Sequence, residues 1–350
     1  MSENQHTKEL SQGLRGGEDL YLLWVNELVK DFSLRGGGFL GLKEERLRAV
    51  DGVSFDVKKG ETFGLVGESG CGKSTIARCI LQLTKPTAGE VYLDGTNLIE
   101  LEYKELQAFR RRMQIVFQDP YSSLDPRMTI KSAVEEPLIV HKLGEKQERM
   151  DRVEQILFQV GITPDQLERK PHEFSGGQRQ RIGIARSLIL EPDLVILDEP
   201  VSALDVSIQA QILNLLKKIQ RRRELTYLFI IHDLIVAEYF CDRLAVLYLG
   251  AVMELANRDT LFHKPLHPYT ITLLSAVPIP DPASKLKKKQ IILKGDPEIA
   301  VDRPVGCRFQ PRCPVGNDRE LCKAEEPALA ELEPGHWVSC HYPGELSLTD

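Results

Sequence analysis

The most distinctive stretch of the sequence is a glycine-rich loop that could hold phosphate groups. The run GLVGESGCGKST starts as an apolar strand and continues as Gly67-x4-Gly72-Lys73-Ser74, before the helix-compatible TIARCILQL. Glycines allow backbone amides to surround phosphate oxygens, and the positive end of the following helix faces the same oxygens. The Lys73 ammonium can reach the terminal phosphates, and the Ser74 hydroxyl can bind Mg²⁺. The spacing therefore predicts a nucleotide site.

A second apolar run ends in two neighbouring carboxylates. In DLVILDEP, Asp198 is suited to a Mg²⁺-bound water, as in other P-loop ATPases, and Glu199 could polarise an attacking water. An ordinary strand end with exposed acids is the simpler interpretation, but the complete phosphate loop favours a catalytic one. We therefore predict that these two residues serve nucleotide hydrolysis.

Three further polar features follow apolar strands or begin a helix. Gln118 ends MQIVFQDP and could contact Mg²⁺ or water, and His232 follows YLFII and could hydrogen-bond a γ-phosphate. The run FSGGQRQR predicts a helix with Ser175 as its N-cap, which makes a second anion-binding helix end. Each of these signals is weak alone, and their order along the chain is what makes the set specific.

The elements that would position these residues alternate between strands and helices. Three apolar runs of strand length are separated by helical stretches: Leu194–Leu197, Tyr227–Ile231 and Leu244–Leu249. This alternation predicts an α/β fold with a mostly parallel sheet between helices. Leu20–Val29 and Ala49–Val57 predict earlier strands, and Met128–Lys170 has mostly helical spacing.

Composition excludes some functional classes. A net charge of -6 and a pI near 5.9 disfavour a general nucleic-acid binder. The sequence contains no membrane-spanning apolar run, and its first residues lack the apolar core of a signal peptide. Cys71 and Cys79 flank the phosphate loop, which indicates reduced thiols. We expect a cytoplasmic protein that reaches a membrane only through its partners.

Taken in order, these motifs resemble the nucleotide-binding subunits of ATP-binding-cassette (ABC) proteins over about residues 22–265. GESGCGKST resembles the Walker A loop, FSGGQ the signature motif, LVILDE the Walker B strand and SALD the D-loop. The resemblance implies an ABC-type P-loop nucleotide-binding domain over residues 20–265, after a flexible tail at 1–19. Such a domain has a RecA-like, mostly parallel core, an antiparallel β-subdomain and an α-helical subdomain, here at about 119–175. A small Cys-rich extension would occupy 266–350.

The resemblance also implies a role for each motif residue. The ATP-binding set would be Phe32, which stacks on adenine, with Gly67, Ser69, Gly70, Gly72, Lys73, Ser74, Thr75 and Gln118. Ser74, Gln118 and Asp198 would hold Mg²⁺. Glu199 would be the general base, and His232 the switch histidine that contacts the γ-phosphate. Because two cassettes pair head to tail in this family, the signature residues Ser175, Gly176, Gly177 and Gln178 would bind the ATP on the partner subunit. Asp205 would belong to the D-loop.

Longer runs resemble the ATPases of dipeptide and oligopeptide importers, among them KPHEFSGGQRQRIGIARSL and HPYTITLLSAVPIPDP. The insertion RGGGFLGLKEERLRAVDGVSF resembles the second, F-type ATPase of such importers. This implies an ATP hydrolase that powers peptide import at the cytoplasmic face of the membrane. Its partners would be a homologous ABC ATPase, two transmembrane permeases and, indirectly, an extracytoplasmic peptide-binding protein.

Nickel and oligosaccharide importers use similar ATPases and remain alternatives for the transported substrate. Soluble ABC ATPases of DNA repair or translation are disfavoured, because they carry long coiled coils or two cassettes on one chain. We therefore expect no nucleic-acid partner.

Four of the seven cysteines fall in the last part of the chain: Cys307, Cys313, Cys322 and Cys340. By count, four thiolates suit tetrahedral Zn²⁺ or an iron–sulfur cluster equally well, whereas disulfides fit a cytoplasmic ATPase poorly. The spacing lacks the Cys-x2-Cys pairs of zinc ribbons, and the tail resembles the importer extension in which such cysteines bind a [4Fe–4S] cluster. We expect that cluster in a structural role, with Zn²⁺ or unliganded thiols as alternatives. His336 and His341 are interpreted as bystanders. The tail shows no convincing periodicity, and we interpret it as lacking regular secondary structure.

Overall fold

The computed structural model describes residues 20–34, 45–119, 124–277, 291–293, 295 and 305–347. The expected N-terminal tail at 1–19, the glycine-rich first part of the insertion at 35–44 and the proline-rich linker at 278–289 lie outside these ranges. The chain divides into two compact units. The first comprises Met1–Lys58, Thr62–Ile99 and Ile231–Asp350, and the second comprises Lys59–Glu61 and Glu100–Ile230.

The described strands and helices alternate along most of the chain. The strands are β1 (Tyr21–Leu34), β2 (Glu45–Lys58), β3 (Thr62–Val66), β4 (Ala88–Leu93), β5 (Thr96–Asn97), β6 (Met113–Val116), β7 (Leu194–Asp198), β8 (Thr226–Ile231), β9 (Arg243–Tyr248), β10 (Ala251–Asn257), β11 (Ala330–Glu333) and β12 (His336–Val338). The helices are α1 (Lys73–Ile80), α2 (Tyr103–Arg112), α3 (Ile130–Val140), α4 (Lys146–Gln159), α5 (Gly176–Leu188), α6 (Val206–Arg223), α7 (Leu234–Phe240), α8 (Arg258–His263), α9 (Pro268–Ser275) and α10 (Glu320–Ala324). None of these described helices has the length and hydropathy of a membrane span.

The first unit contains an antiparallel sheet built from the N-terminal strands. Its order is β2-β1-β4-β5, and β1 pairs antiparallel with both β2 and β4. Leu23 and Val25 are fully buried on β1, opposite Val57 and Phe55 of β2. Burying this apolar face is what holds the sheet, because an isolated two-stranded hairpin is only marginally stable in water. The predicted antiparallel β-subdomain is confirmed.

Parallel strands form the remaining core of each unit. In the first unit β3 pairs parallel with β9, and in the second β7 pairs parallel with both β6 and β8. All five residues of β3 and of β7, and all six of β8, are buried. Continuous apolar runs of this kind are typical of parallel strands that are covered on both faces. The predicted α/β class is therefore confirmed.

The C-terminal tail is more regular than its sequence indicates. β12 pairs antiparallel with β10, and β11 pairs with β12, so the tail extends the sheet of the first unit. The interpretation of the tail as lacking regular structure is wrong. These strands are only four and three residues long, too short for alternation to be recognised in the sequence.

A buried ion pair joins the tail to the N-terminal sheet. The Arg308 guanidinium pairs with Asp51 on β2, and the two side chains are only 4% and 5% exposed. Its Nη1 also donates to the Leu249 carbonyl at 2.9 Å, and its Nε donates to Glu326 at 2.7 Å. These contacts give a partner to each of the three guanidinium nitrogens, Nε, Nη1 and Nη2. A buried charge requires such partners.

Arg308→Met is expected to lower the free energy of unfolding by about 3 kcal/mol, because the Asp51 carboxylate would stay buried after losing the Arg308 guanidinium. Asp51 would still pair with Arg48, but the Arg48 Nη1 lies 3.2 Å away on a partly exposed side chain. The measurement is the urea-denaturation midpoint. Arg258→Met is the matched control, since Arg258 pairs with Asp259 at the surface, and its midpoint should match that of the unmodified protein. Equal midpoints for both variants would contradict this prediction.

Candidate nucleotide and cysteine sites

The phosphate loop of the first unit is shaped by glycines that no other residue could replace. Gly67 has φ 152° and Gly72 has φ 104°. A Cβ atom on Gly67 would lie 2.2 Å from the Leu247 carbonyl oxygen, and one on Gly72 would lie 2.4 Å from that of Ala49. Both approaches are far below van der Waals contact, so the loop conformation requires glycine at these positions.

Lys73 begins α1 and folds back over the loop. Its side chain is buried, and Nζ donates to the carbonyl oxygens of Gly67 at 2.8 Å and Glu68 at 2.9 Å. Gly72, the N-cap of α1, offers no side-chain cap, so the first-turn amides are not satisfied by a capping side chain. Ser74 and Thr75 lie in this first turn. An ammonium and a helix N-terminus at the same loop make a site for a polyanion.

The outer part of the loop and two other predicted residues are accessible in the first unit. Ser69 and Gly70 are exposed at the outside of the loop. Phe32 is 39% exposed on β1, and the Lys30 Nζ lies 5.0 Å from its ring centroid. His232 is exposed directly after β8. These positions allow contact with a ligand, and their roles stay predictions.

In the second unit, the end of β7 carries the predicted carboxylates. Asp198 is the last residue of the buried strand β7. Glu199 follows in the left-handed region with φ 47°, and its amide donates to the Ile230 carbonyl at 3.0 Å. The Gln118 Nε2 donates to the Glu199 carboxylate at 3.0 Å. This conformation costs a non-glycine residue some backbone strain, and the hydrogen bond to Ile230 helps to hold it.

The signature helix and the D-loop helix pack together in the second unit. Ser175 caps α5, its hydroxyl accepting from the Gln178 amide while the Gln178 side chain accepts from the Ser175 amide. Asp205 caps α6, and its carboxylate accepts from the Ile208 amide at 3.0 Å. Gly176 lies in the first turn of α5, and a Cβ on Gly177 would lie 2.4 Å from Ile208 Cγ2. The predicted signature residues and Asp205 are therefore close to one another.

The four C-terminal cysteines line one cavity. Its walls also include His267, Phe309, Gly316 and His341. The Gly316 amide donates to the Cys313 Sγ at 3.2 Å, and the Tyr342 amide donates to the Cys340 Sγ at 3.4 Å. Amide donors to sulfur are the contacts that stabilise metal-bound thiolates. Thiols are thus the donor type that a thiolate-ligated metal centre would use at this cavity.

Burial keeps these thiols protonated. Burial, with a smaller contribution from nearby cysteines, raises the pKa of Cys340 to about 12 and the pKa of Cys307 to about 11. A bound metal would reverse this, because a coordinating thiol loses its proton. The cavity measures about 10 Å³, room for about one water, so a cluster would require the cysteine loops to move apart. Among the described residues no group of three or more His, Cys, Asp or Glu side chains is arranged for a metal ion.

Two histidines interpreted as bystanders differ in location. His336 is buried, and its Nε2 lies 2.6 Å from the carboxylate of the fully buried Glu254, so it acts in packing. His341 lines the cysteine cavity, and its Nε2 contacts the Glu325 carbonyl at 2.9 Å. His267, not considered as a site residue in the sequence, also lines the cavity, and burial lowers its pKa to about 4. It is therefore neutral near pH 7.

The structure also places a residue at the phosphate loop that sequence reasoning missed. Arg312, next to Cys313, pairs with the Glu68 carboxylate at 2.8 Å. The Tyr269 hydroxyl accepts from the Glu68 amide at 3.1 Å. The available signal was weak: an arginine beside a cysteine, and a tyrosine in the HPY run that carried the importer resemblance.

Comparison with known proteins agrees with this geometry. The family model described as ABC transporter matches residues 50–202, and the one described as oligopeptide/dipeptide transporter, C-terminal region, matches residues 253–322. The oligopeptide transport ATP-binding protein AppF of Bacillus subtilis (strain 168) is 48% identical over 321 residues, covering 91% of this chain and 97% of AppF. YkfD of the same organism is 51% identical over 300 residues, covering 85% of this chain and 91% of YkfD.

Solved structures show the same cassette. The dimeric post-hydrolysis state of the ATP-binding cassette MJ0796 bound to ADP and Pi is 33% identical with a TM-score of 0.60, covering 68% of this chain and 99% of that one. CbiO1 from Clostridium perfringens is 28% identical with a TM-score of 0.61, covering 70% of this chain and 92% of that one. The predicted ABC-type fold is confirmed, and the chain belongs to the family of ATP-binding proteins of ABC-type oligopeptide and peptide transporters.

Proposed function

We propose that this chain is the ATP-hydrolysing subunit that powers import of dipeptides or oligopeptides across the cytoplasmic membrane. The observation that carries the proposal is the presence, on one chain, of a complete phosphate-loop cassette and an oligopeptide/dipeptide transporter C-terminal region. Relatives such as AppF, about half identical over nearly their whole length, are named as oligopeptide transport proteins.

The motif residues supply the hydrolytic chemistry. Lys73 and the amides of the phosphate loop neutralise the β- and γ-phosphates. Glu199 takes a proton from the attacking water as its oxygen bonds to the γ-phosphorus. The bond from that phosphorus to the bridging oxygen then breaks and releases ADP. His232 contacts the γ-phosphate, and Phe32 stacks on adenine.

Mg²⁺ is assigned to three oxygen-bearing side chains. The Ser74 hydroxyl, the Gln118 amide oxygen and the Asp198 carboxylate are hard ligands of the type this ion prefers. When bound, Mg²⁺ offsets the negative charge of the phosphates. This chain's own contribution is to hold its ligands in place. Gln118 does so by its hydrogen bond to Glu199, and Asp198 by its position at the end of a buried strand.

A second, homologous ATPase completes each site. The capped N-terminus of α5, with Ser175, Gly176, Gly177 and Gln178, binds the γ-phosphate of ATP held by the partner subunit, and Asp205 steers the approach of the two chains. This pairing explains why one chain carries two helix ends suited to anions. ATP binding closes the dimer, and hydrolysis opens it.

Two transmembrane permeases are the proposed membrane partners, with an extracytoplasmic peptide-binding protein acting through them. In the second unit, a groove of about 350 Å³ lies beside α3, lined by Pro137, Val140 and Arg186 among others. Val140 is 66% exposed at the end of α3. An apolar side chain at the rim of such a groove suits an amphipathic helix of a permease.

The cysteine cavity is proposed to hold a [4Fe–4S] cluster in a structural role. Support comes from the all-thiol donor set of Cys307, Cys313, Cys322 and Cys340 and from the amide donors to two of the sulfurs. A single Zn²⁺ is the alternative, and it would need all four sulfurs at about 2.3 Å from one point. When bound, such a centre cross-links a segment whose own core is small.

Co-purification tests the proposed function. Tagged chain extracted from membranes in mild detergent is expected to bring down two hydrophobic permeases and a homologous ATPase. A Val140→Asp variant places a charge at the groove and should lose the permeases while it still binds ATP. Recovery of ribosomes or DNA in place of permeases would refute the proposal. A nickel or oligosaccharide permease would change only the transported substrate.

A further inference from the structure

Glu68 presents an electrostatic problem in the phosphate loop. It is the second residue of the loop, and its carbonyl oxygen accepts a hydrogen bond from the Lys73 ammonium at 2.9 Å. Its carboxylate therefore belongs to the phosphate-binding loop, where an unpaired negative charge would repel a triphosphate. A loop that binds a polyanion therefore needs this acid neutralised or turned away.

Arg312 of the C-terminal extension neutralises it. Its Nη1 lies 2.8 Å from Glu68 Oε2 and its Nη2 lies 3.2 Å from Oε1, a two-pronged pair. The side chains of Arg312 and Glu68 are 10% and 26% exposed, so solvent screens the pair only partly. The Tyr269 hydroxyl also accepts from the Glu68 amide at 3.1 Å. Glu68 is thus held through both its side chain and its backbone by residues that follow β10.

The position of the guanidinium depends on the fold of the extension. Arg312 ends the short 3-10 turn Gln310–Arg312, between the fully buried Phe309 and Cys313. The Phe309 ring packs against Tyr248 at 5.4 Å and Tyr269 at 5.3 Å between centroids. The Arg312 Nη1 lies 3.3 Å from the Tyr248 hydroxyl. An aromatic cluster therefore fixes the turn from which Arg312 reaches the loop.

We propose that Arg312 is a positioning residue for the phosphate loop: by pairing with Glu68 it holds the acid away from the phosphates, so that the cysteine-bearing extension sets the affinity of the loop for ATP. The inference rests on the proposed ATP site. It gives the extension a role in ATP binding.

Arg312→Gln is expected to weaken Mg-ATP binding about tenfold, because the Glu68 carboxylate is left unpaired beside the phosphates. Mg-ADP binding should weaken less, since ADP carries one negative charge fewer. Dissociation constants are measured by isothermal titration of the purified full-length chain with each nucleotide. Thermal unfolding is recorded for each variant.

The decisive variant removes the acid as well. Glu68→Gln combined with Arg312→Gln leaves no charge at either position, and its Mg-ATP dissociation constant should return to within about twofold of the unmodified chain. A role in fold stability alone would give no such recovery, because the arginine is absent from both variants. Arg319→Gln is the matched control: it breaks a two-pronged pair with Glu345 in the same extension, away from the phosphate loop, and should leave the ATP affinity unchanged.

Two results would overturn the inference: Arg312→Gln binding ATP as tightly as the unmodified chain, or the double variant binding as weakly as Arg312→Gln. Failure of the unmodified chain to bind Mg-ATP would be a different result, since it would overturn the proposed function together with this inference.

Discussion

Glu199→Gln is expected to bind ATP like the unmodified chain and to lose hydrolysis by about a thousandfold, the contribution of a general base. The change keeps the shape of the side chain. Its amide oxygen can still accept from the Gln118 Nε2, which lies 3.0 Å from the carboxylate now. The site therefore stays organised while its proton acceptor is gone. Phosphate release by the reconstituted transporter and the mass of the ATP-bound complex are the measurements, and the variant should accumulate as a closed dimer.

Glu224→Gln is the matched control for this experiment. Glu224 is also a glutamate in the left-handed region, with φ 53°, but it terminates α6. The same isosteric change there should leave turnover intact. Normal hydrolysis by Glu199→Gln would show that Glu199 is not the general base and would leave His232 as the candidate for that role.

Cys313→Ser is expected to abolish the visible absorbance of anaerobically purified protein, which should be brown if the cavity holds a [4Fe–4S] cluster. Cys313 is one of four thiols around the cavity, and its sulfur accepts the Gly316 amide. Serine offers a harder and far less acidic ligand, so the cluster should not survive the change. Visible spectra and the iron and sulfide content per chain are the measurements.

Cys241→Ser provides the control for thiol loss. Cys241 is buried and is not one of the residues that line the cavity, so its replacement should leave the spectrum unchanged. A colourless protein that contains one equivalent of zinc would show that the cavity binds Zn²⁺, the alternative metal, and not the cluster. Protein free of iron and zinc, with a normal unfolding transition, would show that the thiols need no ligand.

Local chemistry was predictable from the sequence. The phosphate loop was recognisable because its backbone needs positive φ angles, and hence glycine, at fixed positions over a few residues, as at Gly67 and Gly72. The parallel strands were recognisable because burial on both faces demands continuous apolar runs, as in β3 and β8. In each case the pattern that indicates the element lies within one short segment of the sequence.

Pairings across the chain were not predictable in this way. Arg308 meets Asp51 across 257 residues, and Arg312 meets Glu68 across 244. In the sequence, each arginine is one charge among many, and solvated surface charge is the usual interpretation. Only the fold shows that Arg308 is buried against an acid of the N-terminal sheet and that the largely buried Arg312 faces an acid of the phosphate loop.

Because β12 pairs with β10, loss of the C-terminal tail would change the edge of the sheet. Without β12, β10 would become an edge strand with unpaired backbone amides and carbonyls. Such an edge can pair with a strand of another molecule and cause aggregation. Loss of β12 would also remove His336 from the buried Glu254 carboxylate, which would keep the amides of Leu266 and His267. Proteolysis before Ala330, which removes β11 and β12, is therefore expected to make the protein self-associate. The tail thus protects an edge of the sheet in the first unit.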